Sequence, residues 1–148
     1  MARTLSQDVS GLIESDEALR DILTRCRRFA VVIASAKPER PSNDVMRYLI
    51  AHGYEVFPVN PGLAGREILG RPVFASLRDV PTPVDVVDVF RHPDAVMPIA
   101  RDAVAIRAQV LWLQTGVWNA SAARLAQAAG LDVVADRCPK IEHTRLLN

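Results

Sequence analysis

The fold turns on the stretch Val31-Val32-Ile33-Ala34-Ser35-Ala36-Lys37-Pro38-Glu39-Arg40-Pro41-Ser42, "VVIASAKPERPS". An apolar, β-branched run ends in a short polar loop, and Ser42 then opens an amphipathic segment. That is the pattern of the first strand, turn and helix of a nucleotide-binding βαβ unit. Such turns usually carry glycines that let backbone approach a phosphate. Here the positions of G-x-G-x-x-G hold Ile33, Ser35 and Pro38, so a standard dinucleotide grip is not available. The loop offers instead the Ser35 hydroxyl, the charges of Lys37 and Arg40, and a helix amino end, whose free N–H groups and dipole favour anions. Two readings stay open on these residues. The loop is a phosphate site made without glycine, or an ordinary connection in which Ser42 only caps a helix and Lys37 and Arg40 are solvated.

Working outward, strands and helices alternate. Apolar residues at helical spacing (Leu12, Leu19, Ile22, Leu23, Cys26) predict an N-terminal helix over about Asp8 to Arg27. "FAVVIA" (29–34) suits a strand buried on both faces. Ser42 is the expected N-cap of the next helix, which carries Val45, Met46, Leu49 and Ile50 and stops at Gly53. "YEVFPV" (54–59), "VDVVDVF" (84–90), "AQVLWLQ" (108–114) and "LDVVAD" (131–136) are the further strands. A long turn-rich loop fills 60–72, with "VFASL" (73–77) as a short strand or turn. Pro93 to Met97 form a turn, and a helix restarts near Pro98 and runs to about Arg107. Asn119 caps a helix through Ala129, and a short helical tail lies at about 140–147.

Each βα repeat takes about 25 residues, the length of a right-handed βαβ crossover. The expected architecture is α/β: a Rossmann-like, doubly wound parallel sheet of about five strands in the order 3-2-1-4-5, with helices on both faces, in a single domain over 1–148. In that order the ligand position lies where the strand order reverses, between the first and fourth strands.

The chain of 148 residues suits one core, and its 49% hydrophobic and 24% charged content is that of a globular domain. A net charge of +1 gives no global field for nucleic acid or an acidic membrane, so any anion site must be local. No apolar run reaches the roughly 20 residues of a membrane span. The polar N-terminus has no signal core, and Cys26 and Cys138 have no metal-type spacing, which predicts a cytoplasmic, reduced protein. His52, His92 and His143 are scattered and form no zinc pattern.

The candidate ligand loops follow the strands. Ser35 to Ser42 come first, then Asn60-Pro61-Gly62, Phe90-Arg91-His92, and Gln114-Thr115-Gly116. No acid ends the second strand where a ribose diol would need one, which speaks against NAD. "NPG" reads equally well as a plain turn, and Gly116 as a turn residue. Trp112 and Trp118 read as packing residues. Asp85 and Asp88 fall on opposite strand faces and read as structural. Asp136 and Arg137 read as a local ion pair. No G-x-S-x-G elbow, Ser-His-Asp order or HExxH is present. Cys138, beside Pro139 and Lys140, is the one candidate nucleophile, against the plainer reading of an inert cysteine.

Four segments together resemble the small bacterial CoA-binding proteins of the YccU type, relatives of the nucleotide-binding domain of the succinyl-CoA synthetase α subunit. They are "SAKPERPSNDVMRYLIAHGYEVFPVNPG" (35–62), "EILGRPVFASLRDVPTPVDVVDVFR" (67–91), "VLWLQTGVWN" (110–119) and "VVADRCPKIEH" (133–143). The resemblance runs from about Phe29 to Leu146. It implies a Rossmann-type fold that binds coenzyme A or an acyl-CoA. It implies that Ser35, Lys37, Pro38 and Ser42 line the phosphate region, and that Asn60 and Pro61 border the adenosine. Phe90 and Arg91 would form a side wall, and Gln114, Thr115 and Gly116 would approach the pyrophosphate or pantetheine arm. The 3′-phosphate and diphosphate of CoA would give Lys37, Arg40 and Arg91 a use that NAD would not. The chain departs from the pattern at Ile33, where many relatives have glycine. No second domain carries a phosphorylated histidine, so ligase activity is not implied. The expected function is non-catalytic CoA binding. The alternatives are a thiol-dependent enzyme or redox partner of CoA acting through Cys138, and a nucleotide-responsive interaction module, with a homodimer as one form.

Overall fold

The computed structural model describes residues 9–148. Five strands, β1 (Arg28–Val32), β2 (Glu55–Val59), β5 (Val86–Val89), β6 (Val110–Leu113) and β7 (Asp132–Ala135), form one parallel sheet. A two-stranded antiparallel hairpin, β3 (Glu67–Ile68) with β4 (Arg71–Pro72), occupies the long loop after β2. Helices α1 (Asp16–Arg25), α2 (Pro41–Ala51) and α5 (Pro139–Leu147) cover one face, and α3 (Val96–Ala105) and α4 (Ala120–Ala128) the other. The fold is therefore the expected α/β Rossmann-like one.

The strand order is not the expected 3-2-1-4-5. It runs β2-β1-β5-β6-β7, which in parallel strands alone is 2-1-3-4-5. The reason lies in β2 and β5. β2 contains Pro58, which has no N–H to give and is tolerated at a sheet edge. The Pro58 carbonyl accepts from Phe74 N (3.0 Å) on the side away from β1, so only a short bridge closes that edge. All four residues of β5 are buried, as the central strand requires, whereas the outer strand β7 is half-buried at both ends. The order reversal therefore falls between β1 and β5.

Helix boundaries follow local chemistry. α1 starts at Asp16, because the Ser15 side chain accepts from Ala18 N (3.1 Å) and Asp16 and Glu17 suit the first turn. The expected start at Asp8 lies outside the described residues. Residues 9–14 are not helical, and Gly11 has φ +80°. α2 begins one residue before the expected Ser42, with Pro41 at its first position and Arg40 as N-cap. Asn119 caps α4 as expected, accepting from Ala122 N (3.0 Å). α5 starts at Pro139.

Two apolar layers hold the sheet. Phe29, Val31, Val86 and Trp112 pack under Leu19, Ile22, Leu23, Met46 and Leu49. Ala30, Val87, Val89, Leu111 and Leu113 pack against Val96, Ala100, Ala103, Ala122 and Ala126. The small residues on α3 and α4 let those helices approach each other and the sheet closely, and deleting a large buried side chain such as Phe29 would cost about 3–5 kcal/mol. No helix among the described residues is long and apolar enough to cross a membrane.

Candidate functional site

A cleft of about 380 Å³ opens at the carboxyl ends of the strands, at the reversal between β1 and β5. Its walls come from the loop after β1 (Ile33, Ala34, Ser35, Lys37 and Arg40), the start of α2 (Pro41 and Ser42), the loop after β2 (Asn60 and Leu63) and the loop after β5 (Phe90, Arg91 and His92).

The first loop is shaped by side chains. Ser42 is not the cap of α2; it is the helix's second residue and is buried, and its hydroxyl accepts from Ser35 N (3.0 Å). The Ser35 hydroxyl accepts from Lys37 N (3.1 Å), and Asn43 Nδ2 donates to the Ser35 carbonyl (2.9 Å). From the neighbouring loop, Asn60 Nδ2 donates to the Ala34 carbonyl (2.8 Å), while Asn60 Oδ1 accepts from Gly62 N (2.9 Å). Both serine hydroxyls thus act as acceptors within the loop and keep their own protons to donate. No side chain caps α2; Pro41 has no N–H and Asp44 N donates to the Arg40 carbonyl (3.1 Å), which leaves the Ser42 and Asn43 N–H groups for an external acceptor.

Charge follows the same logic. The exposed side chains of Lys37, Arg40 and Arg91 pair with no acid among the described residues. His92 Nδ1 is 3.7 Å from Asp94 and also accepts from Asp94 N. Three unpaired cations, two hydroxyl donors and a helix amino end surround one cleft. That set can hold a polyanion such as a diphosphate.

Of the expected site residues, Ser35, Lys37, Arg40, Ser42, Asn60, Phe90 and Arg91 meet at this cleft. Pro38 does not line it; its carbonyl accepts from Arg47 Nη2 (3.0 Å). Pro61 turns away into a second, largely apolar cavity of about 160 Å³ with Val32, Val59, Leu77 and Ile99. Ile33 borders both cavities. Gln114, Thr115 and Gly116 do not line the main cleft, because the reversal lies beside β5 and their loop belongs to β6, one strand further out. That loop is tied instead to β7: Gly116 N donates to Asp136 (3.0 Å), which sits at φ +58°. Asp136 therefore does not pair with Arg137, which bonds Glu142 (3.1 Å). Ala34 and Leu63, which also line the cleft, fall just outside the expected ligand loops, whereas Pro41 lies within the first of them. His92 stood in a loop already marked by the switch-point rule, whereas Leu63 carried no signal.

Cys138 is buried in the apolar layer with Trp112, Val134 and Ala34, and it lines neither cavity. Cys26 is also buried, and burial pushes its thiol up to about 11. No cluster of His, Cys, Asp or Glu able to hold a metal occurs among the described residues.

Comparison with known proteins gives the family and supports the fold. The uncharacterized protein YneT of Bacillus subtilis is 35% identical over 129 residues, covering 87% of this chain and 94% of its own. A hypothetical protein from Pyrococcus horikoshii superposes with a TM-score of 0.90 at 43% identity over the full length of both chains. An acetyl-coenzyme A synthetase of Ca. Korarchaeum cryptofilum, solved with phosphate and ADP, matches with a TM-score of 0.65 at 25% identity, over 72% of this chain and 25% of its own. The family model described as a CoA binding domain matches residues 27–144. The chain belongs to the CoA binding domain family.

Proposed function

We propose that the whole chain acts as a single cytoplasmic domain that binds coenzyme A, or an acyl-CoA, without catalysing its conversion. The observation that carries this reading is the cleft at the order reversal, where Lys37, Arg40 and Arg91 stand unpaired around the open amino end of α2. The diphosphate would lie against Ser35, Ser42 and that helix end. Arg40 and Arg91 would meet the 3′-phosphate. Asn60 and Pro61 would border the adenosine, with the apolar cavity past Pro61 receiving the base. Gln114, Thr115 and Gly116 would meet the ligand only at its outer arm. The non-catalytic part of the reading is supported by the lining itself, which offers cations and hydroxyls, while the one candidate nucleophile, Cys138, lies in the core.

Calorimetric titration with CoA, dephospho-CoA and NAD tests the proposal. CoA should bind tightest, dephospho-CoA more weakly for want of one phosphate, and NAD most weakly. Equal or absent heats for all three would overturn it.

A further inference from the structure

Asp88 occupies the middle of the sheet, in β5, with Val31 of β1 and Trp112 of β6 beside it in register. It is fully buried, and neither carboxyl oxygen has a hydrogen-bond partner. The other buried side-chain oxygen without a partner among the described residues is Oε1 of Gln114. Register puts the two on one face. Trp112 stands opposite Asp88, and Gln114 follows two residues on, so the pair are diagonal neighbours whose side chains can meet. The side-chain N–H donors of Trp112, Asn43 and Asn60 are committed elsewhere. Trp112 Nε1 donates to the Arg137 carbonyl (2.9 Å), Asn43 Nδ2 to Ser35 and Asn60 Nδ2 to Ala34. Three buried acceptor atoms cannot satisfy one another, and buried polar groups in folded proteins are nearly always bonded. A proton on Asp88 supplies the missing donor without adding any group.

We propose that Asp88 is held as a neutral carboxylic acid whose O–H is given to Gln114 Oε1, an acid–amide strut joining β5 to β6 just below the cleft. Phe90, two residues beyond Asp88, lines that cleft, so the strut fixes the strand end that carries Phe90, Arg91 and His92. Burial alone pushes the Asp88 carboxyl well above the usual carboxylate range. The titratable members of the apolar layer on this face are Cys26, Tyr54 and Cys138. The Tyr54 hydroxyl donates to the Leu23 carbonyl. The acids and bases of the covering helices pair at the rim, Asp16 with Arg145, Asp44 with Lys140, and Glu142 with Arg137 and Arg145. Tyr48 and His143 bond each other.

The test needs no ligand, so its failure is distinct from failure of the CoA reading. Infrared spectra at pH 7 should show a carboxylic-acid carbonyl band that Asp88→Asn lacks, and Gln114→Leu should shift that band as the acceptor is lost. The folded carboxyl titrates above its unfolded value of about 3.9. Its contribution is therefore complete below that pH and declines as pH rises through the folded value. The folding constant of the wild type, relative to Asp88→Asn, should fall by up to about tenfold per pH unit in that window. Should Asp88→Asn not fold, titration of the wild-type Asp88 Cγ resonance by carbon NMR gives the same answer. A carboxylate at pH 7, or a band unmoved by Gln114→Leu, would overturn the strut.

Discussion

The two ends of the sheet treat charge in opposite ways. At the amino ends of the strands, polar groups are knotted together. One Asp85 oxygen accepts from Arg27 N and Arg28 N (both 2.9 Å), and the other from Gln109 Nε2 (3.1 Å). Gln109 Oε1 accepts from Arg25 Nη1 (2.6 Å), and Arg25 also pairs with Asp21 and Asp132. At the carboxyl ends, Lys37, Arg40 and Arg91 face a cleft with no acid against them. A net charge of +1 conceals this separation. Paired charge holds the strand ends in register, while the unpaired charge is what the proposed ligand would meet.

The largest effect should come from breaking the knotted end. Asp85→Ala strips the acceptor from the Arg27 and Arg28 N–H groups at the start of β1 and from one amide, and should destabilise the protein by about 3 kcal/mol. Chemical denaturation would measure it. CoA affinity, measured where the variant is still folded, should stay at the wild-type value. A matching loss of affinity would show that the two ends are not independent.

The same contrast explains what could be read in the sequence. β-branched runs alternating with amphipathic segments carried the fold class, because each element's burial imposes its own period. Pro58 marks β2 as an edge strand, whereas the expected order 3-2-1-4-5 places it inside the sheet. The loop after β1 was legible because its position after the first strand fixes its place whatever the strand order. The loop after β6 lies off the cleft because β5, not β6, is the neighbour of β1. The role of Ser42 was not legible. Its hydroxyl bonds Ser35 N across seven residues, and nothing in the spacing separates that from a cap. The partners of Asp85 lie 58, 57 and 24 residues away and were equally out of reach.

Breaking the open end should cost affinity and leave stability alone. Lys37→Ala with Arg40→Ala should weaken CoA binding roughly thirtyfold, about 2 kcal/mol, with an unchanged unfolding midpoint. The variant should also show a flatter salt dependence than the wild type, since fewer charges remain to be screened. Arg91→Ala, a single exposed cation, should cost about fivefold. Losses of affinity that track losses of stability would mean that these side chains hold the fold and do not await a ligand.

The smallest effect sharpens the comparison, because it lies between the two ends, on the far turn of the helix that begins at the cleft. Tyr48 of α2 accepts from Thr144 Oγ1 (3.0 Å) and hydrogen-bonds His143 Nδ1 of α5 (2.7 Å). The His143 side chain is buried. Burial, the neighbouring His52 ring (centroids 4.9 Å apart) and Arg27 all hold its pKa below the ordinary histidine value. A depressed folded pKa means that the unfolded chain takes up the proton first. Stability is then complete above the unfolded value of about 6.5 and declines as pH falls toward the folded one. Between pH 7.5 and 5 the wild-type denaturation midpoint should fall relative to that of His143→Gln measured at the same pH. This slope is opposite in sign to that expected from Asp88, so the two variants separate the contributions. If the slope survives in His143→Gln, the titrating group lies elsewhere. If CoA affinity changes with it, α2 transmits the protonation state of its carboxyl turn to the phosphate-facing amino end, and the ends of the molecule are coupled through that helix.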